Sequence, residues 1–141
     1  MREILFKAKR TDWRKLPKEK WWVEGYYVFC RKCHYILPVV NEIIGYDERE
    51  DEWIKIDLDT LCQYTGLTDK NGKKIWENDI CEMVYNGVVY VYVVVWDKTE
   101  LDFKGTNGKE NYGRNFEYLG CCEEIEVIGN IFDNEDLLEV E

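Results

Sequence analysis

Cys30-Arg31-Lys32-Cys33-His34 places two thiols and an imidazole in one short run, the chain's densest set of reactive groups. Read literally, C-x-x-C-H is the attachment pattern of a c-type haem, with two thiols for the vinyl groups and His34 for the iron. That attachment follows export, and the opening MREILFKAKR has no apolar stretch long enough for a signal segment. Met83 or a lysine would also have to supply the second axial ligand. Zinc suits the residues better, since thiolates at this spacing can share one tetrahedral ion and Cys121-Cys122 would complete the set. Against zinc, adjacent cysteines in a strand point to opposite faces, and His34 beside Cys33 would strain a shared chelate. A redox role for Cys30 and Cys33 lacks the usual βαβ setting. The simplest reading makes Cys62, Cys81 and the remaining cysteines small buried hydrophobes, reduced in a cytoplasm. No metal or other cofactor is expected.

Residues 61–80, LCQYTGLTDKNGKKIWENDI, hold the second group of polar side chains. Tyr64, Thr65, Gly66, Asp69, Asn71 and Gly72, flanked by Gln63 and Leu67, have the look of a binding loop. Asp69-Lys70-Asn71-Gly72 is equally a turn, because Asp and Asn bond their own backbone and Gly supplies positive φ. The turn explains the block without a ligand and is preferred. Glu77 and Asp79, two residues apart, would share a strand face as a carboxylate pair. They have no histidine or nucleophile in sequence beside them, so acid–base chemistry is not expected. The chain has a single histidine, no Gly-rich phosphate loop, no Ser-His-Asp order and no H-E-x-x-H. We therefore expect a protein that is not an enzyme. Trp13, Trp21, Trp22, Trp53 and Trp76 have faces on which bases could stack, but core or subunit contacts are the commoner use of tryptophan.

The elements that must carry these groups read mostly as strands. Ile4, Phe6 and Ala8 lie on one face over 3–9 and Glu3, Leu5, Lys7 and Lys9 on the other, a period of two. Residues 11–20 are charged, contain Pro17 and read as a loop. Residues 21–29, WWVEGYYVF, are aromatic and β-branched, with Gly25 a candidate bulge; residues 35–40 return, making a hairpin. Residues 53–58 form a further strand. Asn86-Gly87 between 80–85 and 88–96 is a type I′ hairpin signal. The glycines and asparagines of 105–113 predict a mobile loop, 116–119 and 125–131 two more strands, and 134–140 one closing helical turn. Five acidic residues in 45–52 mark the best boundary, which gives an amino-terminal β lobe over 1–58 and a carboxy-terminal lobe over 59–141. Short strands with turns between them point to a small barrel or curled sheets with little helix.

The 141 residues fit one domain or two small lobes, and 15% aromatic content supplies ample area to bury. Net charge is −10. Residues 1–22 hold eight Lys/Arg against three acidic side chains, a net of +5, which leaves −15 on the rest. Such an acidic surface repels phosphate backbones; the basic segment could still touch nucleic acid, or an acidic surface of another copy. The longest apolar run, 88–96, is far too short to cross a membrane, so no membrane partner is expected.

Three stretches carry a family likeness. The opening MREILFKAKR, the central QYTGLTDKNGKKIWENDI and the closing EVIGNIFDNEDLL, with WVEGYYV at 22–28, resemble the motifs of the YopX family, phage and prophage proteins of unknown function. Asn78 stands where that family commonly has Gly. The resemblance implies a mostly β protein with an SH3-like, barrel-like carboxy-terminal half, and it implies self-association. It implies no catalytic residue. It gives Gln63, Tyr64, Thr65, Gly66, Leu67, Asp69, Asn71, Gly72, Asp79, Gly129 and Asn130 as motif positions with a structural task. The expectation is a cytoplasmic homo-oligomer that binds a host or phage protein. The alternatives are a nucleic-acid binder acting through residues 1–22 and a domain stabilised by zinc at Cys30 and Cys33.

Overall fold

The computed structural model describes residues 4–38, 53–99, 101–106 and 116–138. The acidic run 45–52 and most of the glycine-rich stretch 105–113 lie outside them. The chain divides into two units, Met1–Tyr64 and Thr65–Glu141.

In the first unit β1 (Phe6–Lys9) lies between β2 (Trp22–Cys30) and β5 (Cys62–Thr68), and β3 (Cys33–Pro38) and β4 (Ile54–Lys55) continue the order β4-β3-β2-β1-β5. All pairings are antiparallel. Ala8, Val23, Ile36 and Ile56 point inward, with Phe6, Tyr27, Ile54 and Leu61 packed around them, whereas Ile4, expected on the face of Phe6 and Ala8, is exposed and Leu5 is buried. Each such aliphatic side chain contributes about 1.5–3 kcal/mol on full burial. Gly25 is not a bulge: its register is regular, opposite Phe6 on one side and Pro38 on the other. A Cβ there would sit 2.0 Å from the Leu37 carbonyl oxygen, so close strand approach is what demands glycine.

In the second unit β7 (Asp79–Tyr85) pairs with β8 (Val88–Asp97) across Asn86-Gly87, whose φ values of 50° and 77° are those of the type I′ turn. Added to them are β9 (Asp102–Thr106), β10 (Phe116–Tyr118) and β11 (Glu124–Asn130), in the order β10-β9-β8-β7-β11. The short β6 (Lys74–Trp76) neighbours β5, whose last residues belong to this unit. Ile75, Cys81, Met83, Tyr85, Tyr92, Val94, Phe103 and Leu119 form the core.

The mostly β content is as expected, and helix among the described residues is limited to 3-10 turns of three or four residues, including one at Glu135–Leu138. The sheets are not closed into a barrel: the sheet of the second unit ends at β10 on one side and β11 on the other. A physical reason is visible at β11. Its outer edge is taken by a turn, with Lys70 N–H donating to the Ile125 carbonyl and Val127 N–H donating to the Asp69 carboxylate.

Candidate functional site

The turn that occupies this edge is the one the sequence singles out. Asp69 ends the run from β5, and its short side chain folds back over the next four residues. Oδ1 accepts from the N–H groups of Asn71 and Lys73, both at 2.9 Å, and Oδ2 accepts from Val127 N–H at 2.9 Å. Burial works against the charge, but these donors from Val127, Lys73 and Asn71 outweigh it and hold the Asp69 carboxyl below the ordinary carboxylate range. Gly72, at φ 81°, closes the turn by donating its N–H to the Asp69 carbonyl. Lys70 extends from the turn to Glu124 at 3.1 Å and Glu126 at 3.3 Å, which raise its pKa. This outer pair is exposed and contributes little.

The other motif residues make turns and strand contacts of their own. Thr65 Oγ1 donates to the Ile75 carbonyl at 2.7 Å and accepts from Leu67 N–H, tying β5 to β6 around Gly66 at φ 89°. Buried Asp79 accepts from Trp76 N–H at 2.8 Å across the turn in which Asn78 takes φ 73°. Asn78 thus adopts the conformation for which glycine is the usual choice. In the first unit, Gln63 pairs with Phe6 and buried Tyr64 donates its N–H to the Leu5 carbonyl. At the far end of β11, Asn130 Oδ1 accepts from the N–H groups of Phe132 and Asp133. A Cβ on Gly129 would meet the Asn134 side chain at 2.6–2.8 Å.

A cleft of about 400 Å3 beside the turn is lined by Leu67, Asp69, Lys70, Leu119, Cys122 and Ile125, among others. Its polar groups are engaged: Lys70 by Glu124 and Glu126, Asp69 by backbone, and Cys122 by Tyr85, whose hydroxyl donates to the Tyr118 carbonyl. Glu77 and Asp79 do not form a free carboxylate pair, because Asp79 is committed to the backbone.

In the first unit, Cys30 and Cys33 are direct cross-strand partners at the end of the β2–β3 hairpin. Arg31 and Lys32 form its two-residue turn, with φ of 51° and 66°. Tyr35 hydrogen-bonds Cys33, and its hydroxyl is held above the ordinary value, first by desolvation and then by that bond. His34 stacks between Phe29 and Tyr27, with Nδ1 at 2.5 Å from the Tyr27 hydroxyl. Among the described residues, no three of His, Cys, Asp and Glu come together as metal ligands.

Lys9, which no pattern in the sequence singles out, is only 3% exposed. Its ammonium lies 3.9 Å from the centre of the Trp13 ring, 4.7 Å from Trp21 and 5.6 Å from Trp22. Arg14 covers Trp13 as well, and Trp13 meets Trp21 edge to face. The Lys9 backbone N–H donates to Thr60 Oγ1. Three of the tryptophans considered as base platforms therefore face the chain's own cations, Trp76 is buried, and Trp53 is exposed against Tyr35.

The YopX protein family model matches residues 16–139, which take in both the Asp69 turn and the β11 segment it holds. The chain belongs to the YopX family. Its fold is similar to the crystal structure of protein EF1440 from Enterococcus faecalis, at a TM-score of 0.50 and 22% identity, over 99% of this chain and 100% of that one. At that identity the likeness concerns the fold alone. No curated protein matches the chain. The motif positions of this YopX protein thus build strand joins and turns. No helix among the described residues is long and apolar enough to cross a membrane.

Proposed function

We propose that this phage- or prophage-type protein is a non-enzymatic binding module of the host cytoplasm that contacts other proteins and assembles with copies of itself. The observation that carries the reading is the start of β8. A strand covering a core alternates buried and exposed side chains, yet Val88, Val89 and Tyr90 are exposed in succession, at 49%, 59% and 36%. Three consecutive uncovered apolar residues are costly for a chain with no contact to make there. The charge distribution, +5 on residues 1–22 and −15 elsewhere, supplies a complementary pair of surfaces between copies.

Nucleic-acid binding through the basic segment has weaker support, since Lys9, Arg14 and the tryptophans beside them satisfy one another. Native mass spectrometry over a concentration series tests the proposal. The expected result is a defined multimer, with the dissociation constant raised at least about tenfold by Val89→Glu, equivalent to about 1.4 kcal/mol. A monomer at every concentration overturns self-association. Co-purified nucleic acid lost at high salt would promote residues 1–22 instead.

A further inference from the structure

The β2–β3 hairpin holds two half-exposed free thiols, Cys30 and Cys33, with Tyr35 hydrogen-bonded to Cys33. A two-residue turn makes Cys30 and Cys33 the first pair of the ladder, and directly opposed residues in an antiparallel pair share one face of the sheet. Directly opposed residues of an antiparallel pair have Cα atoms about 4.5–5.5 Å apart, inside the range of about 4.4–6.8 Å that a disulfide spans. The other four cysteines differ. Cys62 and Cys81 are buried, and burial, then the Asp79 and Asp69 carboxylates, push the Cys81 thiol far up. Cys122 is engaged by Tyr85, and Cys121, though exposed, lies in a 3-10 turn rather than opposite another cysteine in a ladder. Between the two opposed thiols stand exposed Arg31 and Lys32, the cations an anionic reagent would meet first.

We propose that Cys30 and Cys33 form a reversible dithiol–disulfide site that exchanges with anionic low-molecular-weight disulfides of the glutathione class. In the first step one thiolate attacks a sulfur of the reagent, forming a mixed disulfide and releasing one reagent thiol. In the second, the opposing thiolate attacks the protein sulfur of that mixed disulfide. The intramolecular S–S bond forms and the second reagent thiol leaves. Both protons lost by the cysteines end on the two released thiols, so the protein loses two electrons and the reagent disulfide gains them. The bond closes a ring of four residues only, and short loops gain least from cross-linking. The bond also lies at an accessible hairpin end, where disulfides are the labile ones. Both features make the reaction reversible.

The test is to equilibrate the folded full chain in buffers of varied reduced-to-oxidised glutathione ratio, trap free thiols by alkylation and map the peptides. Labelling of Cys30 and Cys33 should fall together, with a Cys30–Cys33 linked peptide appearing, and return fully when reduced glutathione is restored, while Cys121 remains alkylated. Cys33→Ser should stop at the first step, with a glutathione adduct on Cys30. The variant's fold is checked by its circular dichroism. Separate stable adducts on Cys30 and Cys33 in the wild-type chain, or oxidation of Cys121 before this pair, would overturn the proposal.

Discussion

Among the described residues each unit buries one lysine, and the partners described for the two differ in kind. Lys9 in the first unit and Lys104 in the second are both 3% exposed. Lys104 meets a carboxylate, Asp97, at 2.6 Å, with the two side chains 4% and 15% exposed. Lys9 is surrounded by the faces of Trp13, Trp21 and Trp22. A carboxylate pair is localised and all-or-none: the low dielectric that strengthens it also makes losing one partner severe. Three ring faces share the attraction, so each can be lost separately at modest cost. The same contrast extends to the anion of the second unit, where Asp69 is held by three oriented N–H donors.

The largest effect is expected of Asp97→Ala, which takes the carboxylate away from the buried Lys104 ammonium. The expected loss is about 3–5 kcal/mol, read as a fall in urea midpoint at unchanged m. A loss no larger than that of an exposed ion pair would remove the distinction between the two lysines. Asp69→Asn comes next, at about 1–3 kcal/mol near neutral pH, because the amide turns an acceptor into a donor facing N–H groups. Its pH dependence has a definite sign. The folded-state pKa is depressed, so the stabilisation is complete above the unfolded value of about 3.9 and fades as pH falls through the lower folded value. The gap between wild type and variant should therefore narrow below about pH 4, and a gap that widens in acid would refute the assignment. Trp13→Ala is the mildest, at about 1 kcal/mol, since Trp21 and Trp22 remain over Lys9. If it equals Asp97→Ala, the cage is not shared among its rings.

What could be read from residue types differs sharply from place to place. Asn86-Gly87 and Asp69-Lys70-Asn71-Gly72 are legible because their turn chemistry is local: a side chain bonding its own backbone, or a residue that tolerates positive φ, shows in the letters. Arg31-Lys32 was not legible as a two-residue turn, because neither residue favours the positive φ that both adopt; the flanking strands impose it. Gly25 looks like a bulge from its neighbours alone because the carbonyl it accommodates belongs to Leu37, twelve positions along the chain. β9 is hidden in the sequence because Lys104 and Gly105 break the apolar alternation. The burial of Lys9 and Lys104 was equally hidden, since a lysine reads as solvent-facing until its partners are assembled. Tertiary context, absent from any short window, decided each of these positions.

The Asp69 join also sets a clock. Val127 follows Asp69 by 58 residues, so at a synthesis rate of about 5–20 residues per second the ribosome makes the donor roughly 3–12 s after the acceptor. Until then the carboxylate has only the N–H groups of Asn71 and Lys73 from its own turn. The turn can be complete as a local structure while the strand it will protect is still being translated. β11 therefore arrives at an edge cover already built.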